Sequence, residues 1–101
     1  MESYALEGIL FEWNRAKAAS NVRKHGVSFE EAATIFGDIG GVMISDPDHS
    51  EDESRFLLVG RSNLRRLLVV VLVERGERVR LISARRAVRK EMKIYEEGCE
   101  D

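Results

Sequence analysis

The spacing of apolar and polar residues predicts a small sheet flanked by three helices. Short apolar runs between turn residues predict strands at residues 9–13, 42–44, 55–60 with Arg61 at the end, 67–73 and 78–83. Apolar residues at helical spacing predict helices at residues 14–24, 28–36 and 85–97. The connections between the last three strands are short, so both pairs are expected to be antiparallel hairpins.

Capping residues mark the ends of the first two helices. Asn14 is the expected N-cap of the first helix, and Gly26 is expected to end it in the left-handed conformation. Ser28 and Glu31 have the spacing of a capping box that begins the second helix. The two helices are therefore expected to meet at a tight corner that contains His25.

The middle strand, residues 67–73, is apolar on both faces, so helices are needed on both sides of the sheet. The expected core positions on the helices are Ala16, Ala19 and Val22, then Phe29, Ala33 and Phe36, and finally Ala87 or Val88, Met92 and Tyr95. The pattern predicts an α+β fold in a single small domain, residues 1–101, with its core at about 9–97 and an acidic C-terminal tail.

Cysteine content and hydropathy favour a cytoplasmic protein. The single cysteine, Cys99, cannot form a disulfide framework and suits a reducing compartment. The longest apolar run, residues 67–73, is far shorter than the ~20 residues that span a membrane. The first residues lack the basic region of a secretion signal, so neither membrane insertion nor secretion is expected.

Charge is distributed very unevenly along the chain. Residues 55–93 carry twelve Arg or Lys and three Glu, a local charge of +9, whereas the whole chain has a net charge of -2. Guanidinium groups on one patch attract phosphates and pair with them bidentately, so nucleic acid is the first ligand to consider. The alternative is that these arginines form a solvated face that meets the acidic parts of the same protein.

Five arginines are expected at one end of the sheet, where a hairpin connection and the end of the last strand meet. They are Arg61, Arg65, Arg66, Arg85 and Arg86. The N-terminus of the last helix is expected beside them, and its free N–H groups also favour anions. A solvated turn is the simpler interpretation for Arg65 and Arg66, whereas Arg85 and Arg86 at a strand-to-helix junction indicate phosphate binding.

The two histidines lie in different settings. His25 has two open interpretations: a proton donor or acceptor near neutral pH, and a residue that caps the carbonyls at a helix end. His49 lies in the acidic loop 46–53, where the spacing of Asp and Ser residues is only partly similar to a calcium loop. Glu51 stands where that loop needs glycine and Leu57 where it needs a bidentate glutamate, so no metal site is predicted.

Four segments together resemble the BrnT-type toxin family over residues 9–97. They are Phe11-Glu12-Trp13, Lys24-His25-Gly26-Val27-Ser28-Phe29-Glu30-Glu31-Ala32, Asp48-His49-Ser50 and Ile82-Ser83-Ala84-Arg85-Arg86-Ala87. The chain departs from the family pattern at Asn14-Arg15 and Asp38-Ile39, where the family usually has Asp-Pro, and at Ser54, where it usually has an acidic residue.

The resemblance implies a RelE-like fold and a ribonuclease toxin of a type II toxin-antitoxin system, a hydrolase that inhibits translation and growth. It implies a cognate antitoxin encoded by a neighbouring gene, contact with operator DNA only through that antitoxin, and cleavage without metal or other cofactor. With the arginine cluster, the expected catalytic residues are His25, Arg61, Arg85 and Arg86. The expected RNA-binding residues are Lys17, Lys24, Arg65 and Arg66. We expect the 2′-hydroxyl of the RNA to attack the adjacent phosphate.

Two other classes of function stay open. A non-catalytic module could bind an acidic protein partner through the same basic sheet edge, because an antitoxin and RNA would use the same arginines. A helix-turn-helix in residues 17–36 is the weaker alternative. Its second helix would carry Glu30 and Glu31 toward DNA phosphates, with no basic residue between Ser28 and Ile35.

Overall fold

The computed structural model describes residues 1–49 and 54–98, which form one α+β domain. The strands are β1 (Glu2–Leu6), β2 (Ile9–Trp13), β3 (Val42–Ser45), β4 (Arg55–Arg61), β5 (Leu67–Arg75) and β6 (Arg78–Arg86). The helices are α1 (Arg15–His25), α2 (Phe29–Thr34) and α3 (Arg89–Glu97), with 3₁₀ turns at Ile35–Gly37 and Pro47–His49. None of the helices described is long and apolar enough to cross a membrane. The predicted α+β class is confirmed, whereas loop residues 50–53 and Cys99 lie outside the described residues.

The six strands form one sheet in the order β1-β2-β6-β5-β4-β3. The β4–β5 and β5–β6 pairs are antiparallel as predicted, and β2 runs parallel to the first residues of β6. Strand β1 is absent from the sequence prediction because it is short and half polar. The turn Glu7-Gly8, with φ values of 52° and 84°, closes it onto β2. A glycine between two alternating segments is the signal that could have found this hairpin.

The larger core lies between the sheet and the first two helices. Leu68, Val70 and Leu72 of β5 belong to it, and the rings of Trp13 and Phe29 meet edge-on with centroids 5.7 Å apart. These are residues of alternate positions on β5, as expected for one face of a strand. The predicted packing of α2 against the sheet is confirmed.

The prediction of which α1 residues are buried is wrong, because the helix turns a different face toward the sheet. Ala16, Ala19 and Val22 are exposed, whereas Ala18 packs against the core and Asn21 is buried. The helix lies along the part of β6 that has no strand partner on that side, so it buries only a narrow stripe.

A smaller core lies on the opposite face of the sheet, under α3. Val59, Val69 and Ala87 form it, and Tyr95 packs against it. Met92, an expected core position, is exposed on the outer side of α3.

The last helix begins at Arg89 rather than at the predicted Arg85. Strand β6 continues through Arg86 because its pairing with β5 extends that far, and the N–H of Ala87 then donates to the carbonyl of Leu67 at 2.9 Å. Arg85 and Arg86 are therefore strand residues with alternating directions. At the N-terminus of α3 the Val88 N–H is already occupied, because it donates to the Glu91 carboxylate at 2.7 Å.

The helix caps follow the sequence closely. The Asn14 side chain accepts from the Lys17 N–H at 3.0 Å, and Gly26 takes the left-handed conformation with φ 69°. The Ser28 hydroxyl accepts from the Glu31 N–H at 3.0 Å, as a capping box requires. The reciprocal bond is missing from the described contacts, because the Glu31 carboxylate turns to other partners.

Candidate nucleic-acid interface

The arginines of the predicted cluster share one rim of the sheet but are divided between its two faces. Arg61 and Arg86 pair with adjacent residues of β5 from opposite sides, so they lie about 10 Å apart across the sheet. Alternation along the strands turns Arg61 and Arg85 toward α3 and Arg86 toward α1 and α2. A single phosphate is therefore not surrounded by all three, although one polyanion crossing the rim can reach them in turn.

Arg85 forms a bidentate ion pair with Glu91 of α3. Its Nη1 lies 3.1 Å from Oε1 and its Nη2 2.9 Å from Oε2. The contact lowers the pKa of the Glu91 carboxyl below its ordinary value and raises the pKa of Arg85. The Glu91 side chain is 4% exposed and that of Arg85 39%, so the guanidinium keeps one accessible side.

The Arg61 side chain packs against α3. Its guanidinium carbon lies 5.5 Å from the centre of the Tyr95 ring, a cation–π contact. The Asp38 carboxylate accepts both from the Arg61 N–H and from the Tyr95 hydroxyl, each at 2.7 Å. Burial favours the neutral form of Asp38, but these hydrogen bonds outweigh it, and its pKa is lowered. The Arg61 side chain itself forms no ion pair with a carboxylate in the described part of the chain.

Arg66 has a structural position. Its guanidinium pairs with the carboxylate of Glu31, which is 5% exposed, and Nη2 also donates to the Gly26 carbonyl at 3.0 Å. The Ser62 hydroxyl donates to the same carboxylate at 2.6 Å. The hydrogen bond from Arg66 lowers the pKa of Glu31. Arg66 therefore ties the helix corner to β5, whereas its neighbour Arg65 is exposed at φ 63° in the turn.

Three further predicted site residues, Lys17, Lys24 and His25, line a groove between α1 and the end of β6. A cavity of about 210 Å³ is lined by Lys17, Ser20, Asn21, Lys24, His25, Ile82 and Ser83. Among the described residues, none forms an ion pair or hydrogen bond with the side chains of Lys17, Lys24 or His25. Arg86 follows on the same face of β6. This cationic groove is thus open to an external anion.

Asn21 fixes the groove by holding α1 against β6. Its amide nitrogen donates to the carbonyls of Val27 and Ala84 at 2.9 and 2.8 Å, and its amide oxygen accepts from the Ala84 N–H at 3.1 Å. These bonds replace the ladder partner that β6 lacks at this point. They also explain why a polar residue occupies the buried stripe of α1.

Replacing Asn21 with alanine is expected to lower the free energy of unfolding by roughly 1–3 kcal/mol for each backbone group left buried without a partner. Urea denaturation measures the change. Arg23→Ala, an exposed change on the same helix, is the control and should stay within about 0.5 kcal/mol of the wild type. Equal stability of the two variants would contradict the role given to Asn21.

A larger cavity among the described residues is a less suitable phosphate site. It has a volume of about 710 Å³ and lies between the β1–β2 turn, the end of α2 and the end of β4. Glu7 and Asp38 line it together with a single cation, Arg61. Two carboxylates against one guanidinium disfavour a polyanion, so the smaller cationic groove is the better candidate.

Sequence reasoning missed the residues that hold the predicted cations in place. Asp38 and Tyr95 act on Arg61, which is distant from both in sequence, whereas Glu91 lies only six positions from its partner Arg85. Glu91 accepts from the N–H of Val88, three residues earlier, but no capping-box pattern marks it in the sequence, because such a box begins with a polar N-cap residue and Val88 is apolar. The helical spacing of Lys17, Asn21 and Lys24 could have located the groove, because residues at i, i+4 and i+7 share a helix face.

The described residues form a small α+β domain with a cationic groove between α1 and β6. A family model described as ribonuclease toxin, BrnT, of type II toxin-antitoxin system matches residues 13–91. The chain belongs to this family, as the four sequence segments predicted.

One solved structure gives a direct comparison of the fold. The 1.1 Å crystal structure of the Brucella abortus ribonuclease toxin BrnT is similar with a TM-score of 0.62 and 20% sequence identity. The match covers 78% of this chain and 96% of that chain. At this identity the similarity concerns the fold alone. A search of curated protein sequences finds no match.

Proposed function

We propose that this chain is an endoribonuclease, the toxin of a type II toxin-antitoxin pair, which arrests growth by cutting RNA and so inhibiting translation. The observation that carries the proposal is the cationic groove. Lys17, Lys24 and His25 line it without internal partners among the described residues, and Arg86 follows on the same face of the sheet. Membership of a ribonuclease toxin family supports RNA as the polyanion.

The proposed reaction uses the RNA's own 2′-hydroxyl as the nucleophile. Its oxygen attacks the adjacent phosphorus in line, the bond to the 5′-oxygen breaks, and the products are a 2′,3′-cyclic phosphate and a 5′-hydroxyl. His25 moves the proton from the 2′-hydroxyl to the departing 5′-oxygen, with Lys24 as the neighbouring candidate. Arg86 stabilises charge on the phosphate oxygens at the groove. No metal or cofactor is required, because protein cations supply the charge and protein side chains exchange the proton.

Arg61 and Arg85 are proposed to contact the RNA where it passes over the rim of the sheet. They lie on the α3 face, beyond the groove, so they are suited to a neighbouring phosphate. Lys17 and exposed Arg65 provide further backbone contacts. Arg66 contributes mainly by fixing the corner between α1 and α2, since its guanidinium is already paired with Glu31.

The proposed partner is an acidic antitoxin encoded by a neighbouring gene, and operator DNA is reached only through it. A direct helix-turn-helix contact with DNA is disfavoured by α2, which has six residues, most of them buried. The non-catalytic binding module stays the competing function. It is supported by the internal pairing of Arg66 and Arg85, which leaves these two arginines less free for catalysis than the sequence suggested.

The test combines growth and RNA chemistry. Expression without an antitoxin should arrest growth, and purified protein with EDTA should leave RNA ends bearing 5′-hydroxyls and 2′,3′-cyclic phosphates. Arg85→Ala/Arg86→Ala should relieve the arrest, whereas Arg75→Ala/Arg78→Ala, at the opposite end of β5 and β6, should not. Undiminished arrest by the first double variant would overturn the site. Uncut RNA with retained RNA or antitoxin binding would favour the binding module.

A further inference from the structure

The hydrogen bonds of Arg85 leave one donor edge of its guanidinium unused. The group has five N–H donors in a fixed plane. Two of them, on the edge formed by Nη1 and Nη2, go to the Glu91 carboxylate, and Nη1 also donates to the Arg86 carbonyl at 3.2 Å. The described contacts use neither the Nε–H nor the second N–H of Nη2. These two donors lie side by side, in the geometry that binds two oxygens of a phosphate.

Glu91 is itself rigidly placed. It is 3% exposed, and its Oε1 also accepts from the Val88 N–H at 2.7 Å in the first turn of α3. A helix N-terminus favours this negative charge. Releasing Arg85 would leave a buried carboxylate without its cation, which is strongly unfavourable, so the pair is expected to persist when RNA is present.

The same helix also places the second rim arginine. Tyr95 lies one turn after Glu91 and packs its ring under Arg61. Residues four positions apart share a helix face, so α3 presents one partner to each arginine. The side-chain freedom of both arginines is thus restricted during folding rather than during RNA binding.

We propose that Glu91 is a positioning residue that aims the free Nε–Nη2 edge of Arg85 at two oxygens of an RNA phosphate. This inference rests on the proposed ribonuclease function. It predicts that removing the charge of Glu91 has an effect opposite to the one expected from net charge alone. If Glu91 merely neutralised Arg85, removing its charge would strengthen RNA binding. If it positions Arg85, removing its charge weakens transition-state stabilisation even though the net charge of the site becomes more positive.

The kinetic test compares Glu91→Gln and Arg85→Lys with the wild type. Glu91→Gln keeps the size of the side chain but not its charge, and Arg85→Lys keeps the cation but not the fork. Both should lower kcat by about 10²-fold, the scale of a small misplacement of a catalytic group. Glu91→Gln should add no further loss in an Arg85→Ala background. The matched control is Glu12→Gln, which also removes a carboxylate paired with a strand arginine, Arg78, far from the rim.

The outcomes separate positioning from neutralisation and from loss of the fold. Unchanged or faster cleavage by folded Glu91→Gln would overturn the proposal. So would a loss of kcat from Glu91→Gln that is as large in the Arg85→Ala background as in the wild type. Thermal melting identifies a variant that fails to fold. If Glu91→Gln does not fold, Arg85→Lys tests the proposal instead. Cleavage by Arg85→Lys at the wild-type rate would overturn it, because the paired N–H donors of the guanidinium would then not be needed.

A binding measurement tests the positioning role of Glu91 independently of the proposed ribonuclease activity. The Nε–H resonance of Arg85 should shift in the wild type when a fully 2′-deoxy-substituted, uncleavable oligonucleotide is added. It should shift far less in Glu91→Gln. If the wild type cuts no RNA but this contrast holds, the proposed enzyme fails and the positioning role stands. The same shift in both proteins would overturn the positioning role whatever the activity.

Discussion

Replacing His25 with alanine is expected to slow RNA cleavage by about 10²–10⁴-fold, the usual contribution of a general acid or base. The fold should be unaffected, because the side chain is exposed and forms no ion pair or hydrogen bond with any residue described. The variant should still bind RNA through the neighbouring lysines and Arg86. Single-turnover cleavage of a defined RNA, with a separate binding titration, distinguishes the lost proton transfer from lost affinity.

The matched control is Arg23→Ala. Arg23 is an exposed cation on the same helix, but it does not line the groove. Its loss should reduce affinity only slightly through long-range charge and leave the cleavage step unchanged. A His25→Ala protein that cuts bound RNA at the wild-type rate would show that another group moves the proton, with Lys24 the next to test.

Replacing Glu31 with alanine is expected to lower the free energy of unfolding by about 3 kcal/mol, at the lower end for a broken buried ion pair. The lower end applies because Arg66 is 24% exposed and can regain some water. The change also removes the acceptor of the Ser62 hydroxyl. Urea unfolding at pH 7 measures it. Exposed Glu30→Ala on the same helix turn should change stability by no more than about 0.5 kcal/mol.

The pH dependence gives a second check on Glu31. Its pKa is lowered from an ordinary value of 4.5, chiefly by the hydrogen bond from Arg66. The stabilisation is therefore fully present above the unfolded-state pKa and is lost as the pH falls through the lower folded-state pKa. The stability difference between wild type and Glu31→Ala should shrink below about pH 4.5. A difference that stays constant down to pH 2 would contradict the ion-pair explanation.

Local signals predicted most of the fold, and long-range contacts explain the rest. The strands at 9–13, 55–61 and 67–73 are recognisable because apolar runs between turn residues rarely fit anything else. The start of the last helix was mispredicted because Arg85 and Arg86 fit a helix by propensity. Pairing with β5 keeps them in a strand, and such tertiary contacts outweigh propensity.

The candidate site was predictable in its residue types but not in its internal partners. Composition located the arginines, the expected helix corner pointed to His25, and the family resemblance added Lys17 and Lys24. None of these reveals that Arg66 pairs with Glu31, 35 positions away, or that Arg85 faces α3 while Arg86 faces the groove. Which cations are free depends on partners brought together by the sheet, and these become visible only once strand register is known.

RNA substrates with a single 2′-deoxy nucleotide test the proposed mechanism most directly. In that mechanism the protein positions a phosphate and exchanges a proton, while the RNA supplies the nucleophile. A deoxy substitution immediately before the cleaved phosphate should abolish cleavage by the wild-type protein with EDTA present, and the same substitution one nucleotide away should not. Cleavage at the substituted position would rule out the proposed mechanism, because it would require a nucleophile other than the 2′-hydroxyl.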